Sequence, residues 1–159
     1  MVQTKEKFDR KCYFVEEENM GKIIITDDNG EDREYLHQRV QKYNQKYFEK
    51  AEFQDISVCL KSESGEIQAG LAGTVRGNWF LVWELWVKEE LRRKKLGSEI
   101  LKKAEEEARK RGCQYVLLDT FEFQAPEFYK KKGYREVFVY MEHEITGTHY
   151  YLSKKLLKG

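Results

Sequence analysis

The sequence predicts a mixed α/β (α+β) domain on a twisted, mostly antiparallel sheet, with one parallel strand–loop–helix–strand unit at its centre. Three observations predict it. Trp79-Phe-Leu-Val-Trp-Glu-Leu-Trp-Val87 is an almost unbroken apolar, β-prone run and reads as a buried strand. Ile100, Leu101, Ala104 and Ala108 follow at helical spacing, and Tyr115-Val-Leu-Leu-Asp119 then reads as a second strand. Strands joined through a helix run parallel, whereas the shorter connections elsewhere predict antiparallel pairs.

In chain order, residues 1–19 are polar apart from a Cys12-Tyr-Phe-Val15 patch and read as an N-terminal arm. Met20 to Ile25 begins a strand, and Asp27-Asp-Asn-Gly30 is a turn cluster. An amphipathic helix is predicted from Asp32 to about Ala51, with a break near Asn44. Its face of Leu36, Val40, Tyr43, Tyr47 and Ala51 is expected to pack in a core. Asp55–Lys61 and Ile67–Arg76 read as a hairpin closed at Ser62–Gly65, with Ile67, Ala69, Leu71 and Val75 on one face. Gly70, Gly73 and Gly77 lack dinucleotide-binding spacing and read as strand positions allowing close packing or a bulge. The central helix runs from about Leu96 to Arg111, capped by Gly112. Pro126 opens a short helix that Gly133 ends. Arg135–Glu142 and His149–Leu156 close the chain as an antiparallel pair joined through Ile145–Thr148.

The chain's 159 residues fit one domain, and a hydrophobic content of 40% supplies its core. A formal net charge of +1 argues against a nucleic-acid binder. No apolar run reaches membrane-spanning length, and no signal-peptide pattern opens the chain, so no membrane partner is expected. Cys12, Cys59 and Cys113 are odd in number without C-x-x-C spacing, so they read as reduced thiols of a cytoplasmic protein. His37, His143 and His149 form no ligand constellation, and no metal is expected.

The stretch Leu91-Arg-Arg-Lys-Lys-Leu-Gly-Ser98 joins the central strand to its helix. A helix start offers free N–H groups and partial positive charge, and Arg92, Arg93, Lys94 and Lys95 add full charges. Its natural guest is a phosphate or pyrophosphate.

Two stretches carry a resemblance to the GNAT family of N-acetyltransferases. Val87 to Ser98 resembles that family's acetyl-CoA pyrophosphate loop, Arg/Gln-x-x-Gly-x-Gly/Ala after a central strand. Arg92 takes the Arg/Gln place and Gly97 the last place, while Lys95 stands where the first glycine is usual. If the loop demands a positive φ there, lysine costs roughly 1–2 kcal/mol against glycine. Ala125, Phe128, Tyr129, Lys131, Gly133 and Tyr134 are similar to the family's Ala-x-x-Leu/Phe-Tyr-x-Lys-x-Gly-Phe, and Glu122 stands where asparagine is frequent.

The resemblance implies a single acetyltransferase domain over 20–159, with helices on both sheet faces. It implies acetyl-CoA as co-substrate and direct attack by a primary amine in a ternary complex. The loop from Arg92 through Arg93, Lys94, Lys95, Leu96 and Gly97 to Ser98 would hold the pyrophosphate. Main-chain groups of Leu85, Trp86 and Val87 would meet the thioester and the pantetheine arm, beside Ala125 and Phe128. Tyr129 is the expected general acid for the departing thiolate. Glu84, a lone carboxylate among apolar residues, is the candidate base, directly or through water, because burying it without purpose is costly. The acceptor is open between a small amine and a protein amino group, and so is a homodimer. The alternative reading is a non-catalytic acyl-CoA-binding or regulatory module.

Overall fold

The computed structural model describes residues 12–13, 23–25, 27, 30–47, 53–141 and 147–156. They fall into two contact units, Met1–Tyr47 and Phe48–Gly159. In the first unit, β1 (Cys12–Tyr13) pairs antiparallel with β2 (Ile23–Ile24). Helix α1 (Glu31–Asn44) begins with Glu31, Asp32 and Glu34, acids that complement its positive end. It stops at the break expected near Asn44 rather than running on to Ala51, which lies outside the described residues. The expected packing face is not buried: Leu36, Val40, Tyr43 and Tyr47 are exposed, and α1 has no buried residue. Only Leu36 and Val40 are aliphatic in this helix, too little to form an apolar stripe.

The second unit is one six-stranded sheet in the order β3-β4-β5-β6-β8-β7. Strands β3 (Gln54–Lys61) and β4 (Ile67–Arg76) form the expected hairpin, and β5 (Trp79–Val87) adds antiparallel to β4. Helix α2 (Leu96–Lys110) crosses to β6 (Tyr115–Phe121), which runs parallel to β5 as expected. Helix α3 (Pro126–Lys131) follows, then β7 (Arg135–Tyr140) and β8 (His149–Lys155). The last two pair antiparallel, and β8 inserts between β6 and β7.

Helix α2 packs on β3, β4 and β5 through Ile100, Leu101, Ala104 and Ala108, the side chains its periodicity nominated. They meet Leu71, Phe80, Val116 and Leu152 in the core. Gly73 of β4 is buried because β5 crosses it closely. A Cβ there would stand 2.4 Å from the Leu81 carbonyl oxygen and 2.7 Å from the Phe80 ring. Among the described residues, no helix is long and apolar enough to cross a membrane.

Two features of β5 place the site. Its pairing with β6 is confined to Trp79–Leu81 against Tyr115–Leu117, so the two strands part beyond Leu81. It also bulges: Val82 faces Gly73 and Glu84 faces Ala72, leaving Trp83 without an opposite residue. One extra residue reverses the alternation. Phe80 and Val82 point into the core before the bulge; Leu85 and Val87 pack against it after. The continuously buried strand expected from the sequence is therefore corrected, because Trp83, Glu84 and Trp86 face outward and are exposed.

Candidate functional site

Where β5 and β6 part, the chain leaves β5 through a single 3₁₀ turn, Glu89–Leu91, and reaches α2 over Arg92–Lys95. Arg92 braces the loop by donating from Nε to the Val87 carbonyl at 3.2 Å. Both Arg93 (φ 64°) and Lys95 (φ 63°) are left-handed. Lysine thus adopts the backbone at which glycine is usual, and the loop keeps its tight turn with strain at two residues. Lys95 caps α2 through its carbonyl, which accepts from Ser98 N at 2.9 Å and Glu99 N at 3.1 Å.

The consequence is a row of free donors. Among the described residues, the amides of Arg93, Lys94, Lys95, Leu96 and Gly97 have no hydrogen-bond partner. Arg93, Lys94 and Lys95 form no ion pair there either. Unpaired amides under uncompensated cations at a helix start are the chemistry of an anion cradle. Gly97 sits against both walls: a Cβ there would meet Val87 Cγ2 at 3.6 Å and Phe128 Cζ at 3.8 Å, ordinary contact distances.

The cradle opens into a cleft of about 480 Å³. Its walls bring together Leu85, Val87, Arg92, Arg93, Lys95, Leu96, Gly97, Ser98, Ala125, Phe128 and Tyr129 from the predicted set, and add Leu91. Leu91 was overlooked; its signal was an isolated leucine between charged residues. Lys94, Glu84 and Trp86 do not line this cleft. Glu84 and Trp86 lie on the opposite face of β5 from Leu85 and Val87. Glu84 is exposed, so the burial that singled it out is absent.

Tyr129 lines the same cleft. It is 8% exposed, held edge-on between Phe128 and Tyr134 at ring separations of 5.1 and 5.7 Å. Its hydroxyl has no hydrogen-bond partner among the described residues. Burial, and then the negative charge of Asp119, push the phenol up to about 12. It stays protonated through the neutral range and is a donor awaiting a stronger base. Tyr134 differs: its hydroxyl donates to Glu105 at 2.9 Å, and Glu105 also accepts from Lys154 Nζ at 2.6 Å. Burial and then the Glu105 charge raise Tyr134 as well. That network ties the end of α3 to α2 and β8, and so fixes where Tyr129 stands.

A sheet forked at its one parallel pair, with a cationic loop at the fork, is the architecture of acetyltransferases. A solved acetyltransferase from Bacillus cereus superposes with a TM-score of 0.72 at 36% identity, covering 83% of this chain and 96% of that one. An aminoglycoside 6'-N-acetyltransferase complexed with coenzyme A shares the fold, with a TM-score of 0.55 at 17% identity, over 66% of this chain and 74% of that one. The chain belongs to the acetyltransferase (GNAT) family, whose profile matches residues 23–134, and is an N-acetyltransferase of that family. It is 30% identical over 95 residues to the acetyltransferase Atu2258 of Agrobacterium fabrum, covering 60% of this chain and 69% of that protein. It is 43% identical over 74 residues to blasticidin-S acetyltransferase of Streptomyces morookaense, covering 46% of this chain and 54% of that enzyme.

Proposed function

We propose that this protein transfers the acetyl group of acetyl-CoA to a primary amine by direct attack in a ternary complex. The observation that carries the reading is the row of unpartnered amides at Arg93–Gly97, opening into a cleft lined by a tyrosine with an unpartnered hydroxyl. The cradle fits a diphosphate in charge and donor count. Acetyl-CoA supplies the activated acyl group. The amides of Arg93–Gly97 bind its pyrophosphate, with Lys94 and Lys95 adding charge from outside. The parted edge of β5 at Leu85–Val87 offers backbone groups to the amide-rich arm and the thioester carbonyl. Tyr129 gives its proton to the departing thiolate. Glu84, on the other face of β5, holds an approaching ammonium by charge or accepts its proton through water.

The working unit is the single domain over 20–159, because the family match runs through 23–134 across the boundary between the contact units. The likeness to blasticidin-S acetyltransferase makes a small-molecule amine the first acceptor to try.

The test mixes protein, acetyl-CoA and an amine panel (blasticidin S, spermidine, 2-phenylethylamine and a lysine-containing peptide) and follows free thiol. Thiol release that depends on an amine is expected, with thermal stabilisation by coenzyme A alone. Stabilisation with no turnover on any amine would replace the reading by an acyl-CoA-binding module. No stabilisation would leave a protein that uses the fold only for contacts.

A further inference from the structure

On the face of the sheet turned away from α2, two residues outside both sequence motifs meet at the open side of the fork. Asp119 and Phe121 are on β6 beyond its last pairing with β5 at Leu117. Across the β6–β8 ladder, Phe121 faces His149 and Asp119 faces Tyr151. The His149 Nε2 lies 2.7 Å from Asp119 Oδ2. The ring is fixed by stacking on Phe121 at 4.1 Å and by Tyr151 at 4.7 Å. A carboxylate accepting from Nε2–H leaves Nδ1 as the basic nitrogen, and Nδ1 has no partner among the described residues. After burial, the Asp119 charge also raises the Tyr129 phenol.

We propose that His149 is the catalytic base of the transfer, taking the acceptor amine's proton directly or through one water, with Asp119 as its positioning residue. The proposal rests on the transfer reading above and moves its proton acceptor from Glu84 to His149, leaving Glu84 to hold the ammonium by charge. The amine nitrogen bonds to the acetyl carbon, and the C–S bond breaks. One amine proton goes to His149 Nδ1, and the thiolate takes the Tyr129 proton. The imidazolium then returns its proton to the phenolate through solvent, so the enzyme is restored. Among the described residues, the titratable groups facing the ring are Asp119 on β6, Tyr151 on its own strand and Tyr140 opposite it on β7. Glu122 stands close by, its carboxylate accepting from Thr148 N at 3.3 Å.

The experiment measures kcat against pH for wild type, His149→Gln, Asp119→Asn and Glu84→Gln, with blasticidin S, spermidine and 2-phenylethylamine as acceptors. Acetyl-CoA affinity, read by thermal shift, serves as the control for folding. His149→Gln is expected to lose about 100-fold in kcat and its acidic limb, with acetyl-CoA affinity kept. Asp119→Asn is expected to lose about tenfold while keeping a limb, because the imidazole is still present. An acidic limb retained in His149→Gln overturns the proposal, and its loss in Glu84→Gln instead gives the role to Glu84. If His149→Gln does not bind acetyl-CoA, Asp119→Asn decides: kcat within twofold of wild type overturns the pair. Absence of wild-type turnover on every amine overturns the transfer reading, and His149 with it.

Discussion

The two halves of β5 make a controlled comparison. From Trp79 to Leu81 the strand is closed against β6, Gly73 is pressed under it, and Phe80 and Val116 are fully buried. Trp79 and Tyr115 stack across the seam at 4.8 Å. From Leu85 to Val87 the strand has no β6 neighbour. On the cleft side, the Arg93–Gly97 amides and the Tyr129 hydroxyl are without partners among the described residues. In the closed half, packing is complete and nothing is left to bind. In the open half, a buried hydroxyl and a row of solvent-facing amides are left for a ligand to satisfy. Stability and reactivity are thus separated along one strand.

The largest expected effect is at the open half. Tyr129→Phe should lower kcat by on the order of 10²–10⁴ while leaving the acetyl-CoA affinity and the melting temperature nearly unchanged, measured by thiol release and thermal shift. An unchanged kcat would take the hydroxyl out of the chemistry. Next comes the closed half. Gly73→Ala forces a methyl against the Leu81 carbonyl and the Phe80 ring, and should destabilise by about 3 kcal/mol in denaturant titration. If instead it folds with wild-type stability but loses acetyl-CoA affinity, the two halves are not independent.

Lys95→Gly should do the reverse at the loop. Relieving a left-handed lysine should stabilise the fold by about 1 kcal/mol. Acetyl-CoA affinity should fall only by the loss of one exposed cation, a few-fold and less at high salt. A large loss would mean that the lysine side chain, not the turn, is what the loop needs.

The smallest effect is confined to alkaline solution. Tyr129 is raised from an ordinary 10.0 to about 12 by burial and then by Asp119. The folded state therefore holds a proton that the unfolded chain has released. Its contribution is fully present below about pH 10 and is lost as pH rises toward 12. Tyr134, raised the same way, adds to the slope. Tyr129→Phe should flatten the fall in stability above pH 10, measured by urea midpoints, and change nothing at pH 7.

Much of this was legible from residues close together in the chain. The helical spacing of Ile100 to Ala108 predicted the face that α2 buries, and Gly133 predicted where α3 ends, with a φ of 87°. The loop 92–98 was readable because its charges, its glycine and the helix start are consecutive. Other features were hidden by distance. Asp119 meets His149 across 30 residues and Tyr134 meets Glu105 across 29, and no local pattern reports such pairs. The face of Glu84 was misread for a different reason. A run of apolar residues gives no sign of a bulge, and one extra residue at Trp83 reverses every side chain after it.

The sequence by itself determined the strand–loop–helix–strand order, the packing stripe of α2 and the cationic composition of the helix start. Periodicity and turn chemistry act over a few residues and need no partner. Only the tertiary structure decided that β5 and β6 part after Leu81, that Lys95 takes the left-handed conformation, and that Tyr129 is buried without a partner while Tyr134 has one. Those outcomes depend on strand pairing, helix packing and the Tyr134–Glu105–Lys154 contacts, all made between segments far apart in the chain.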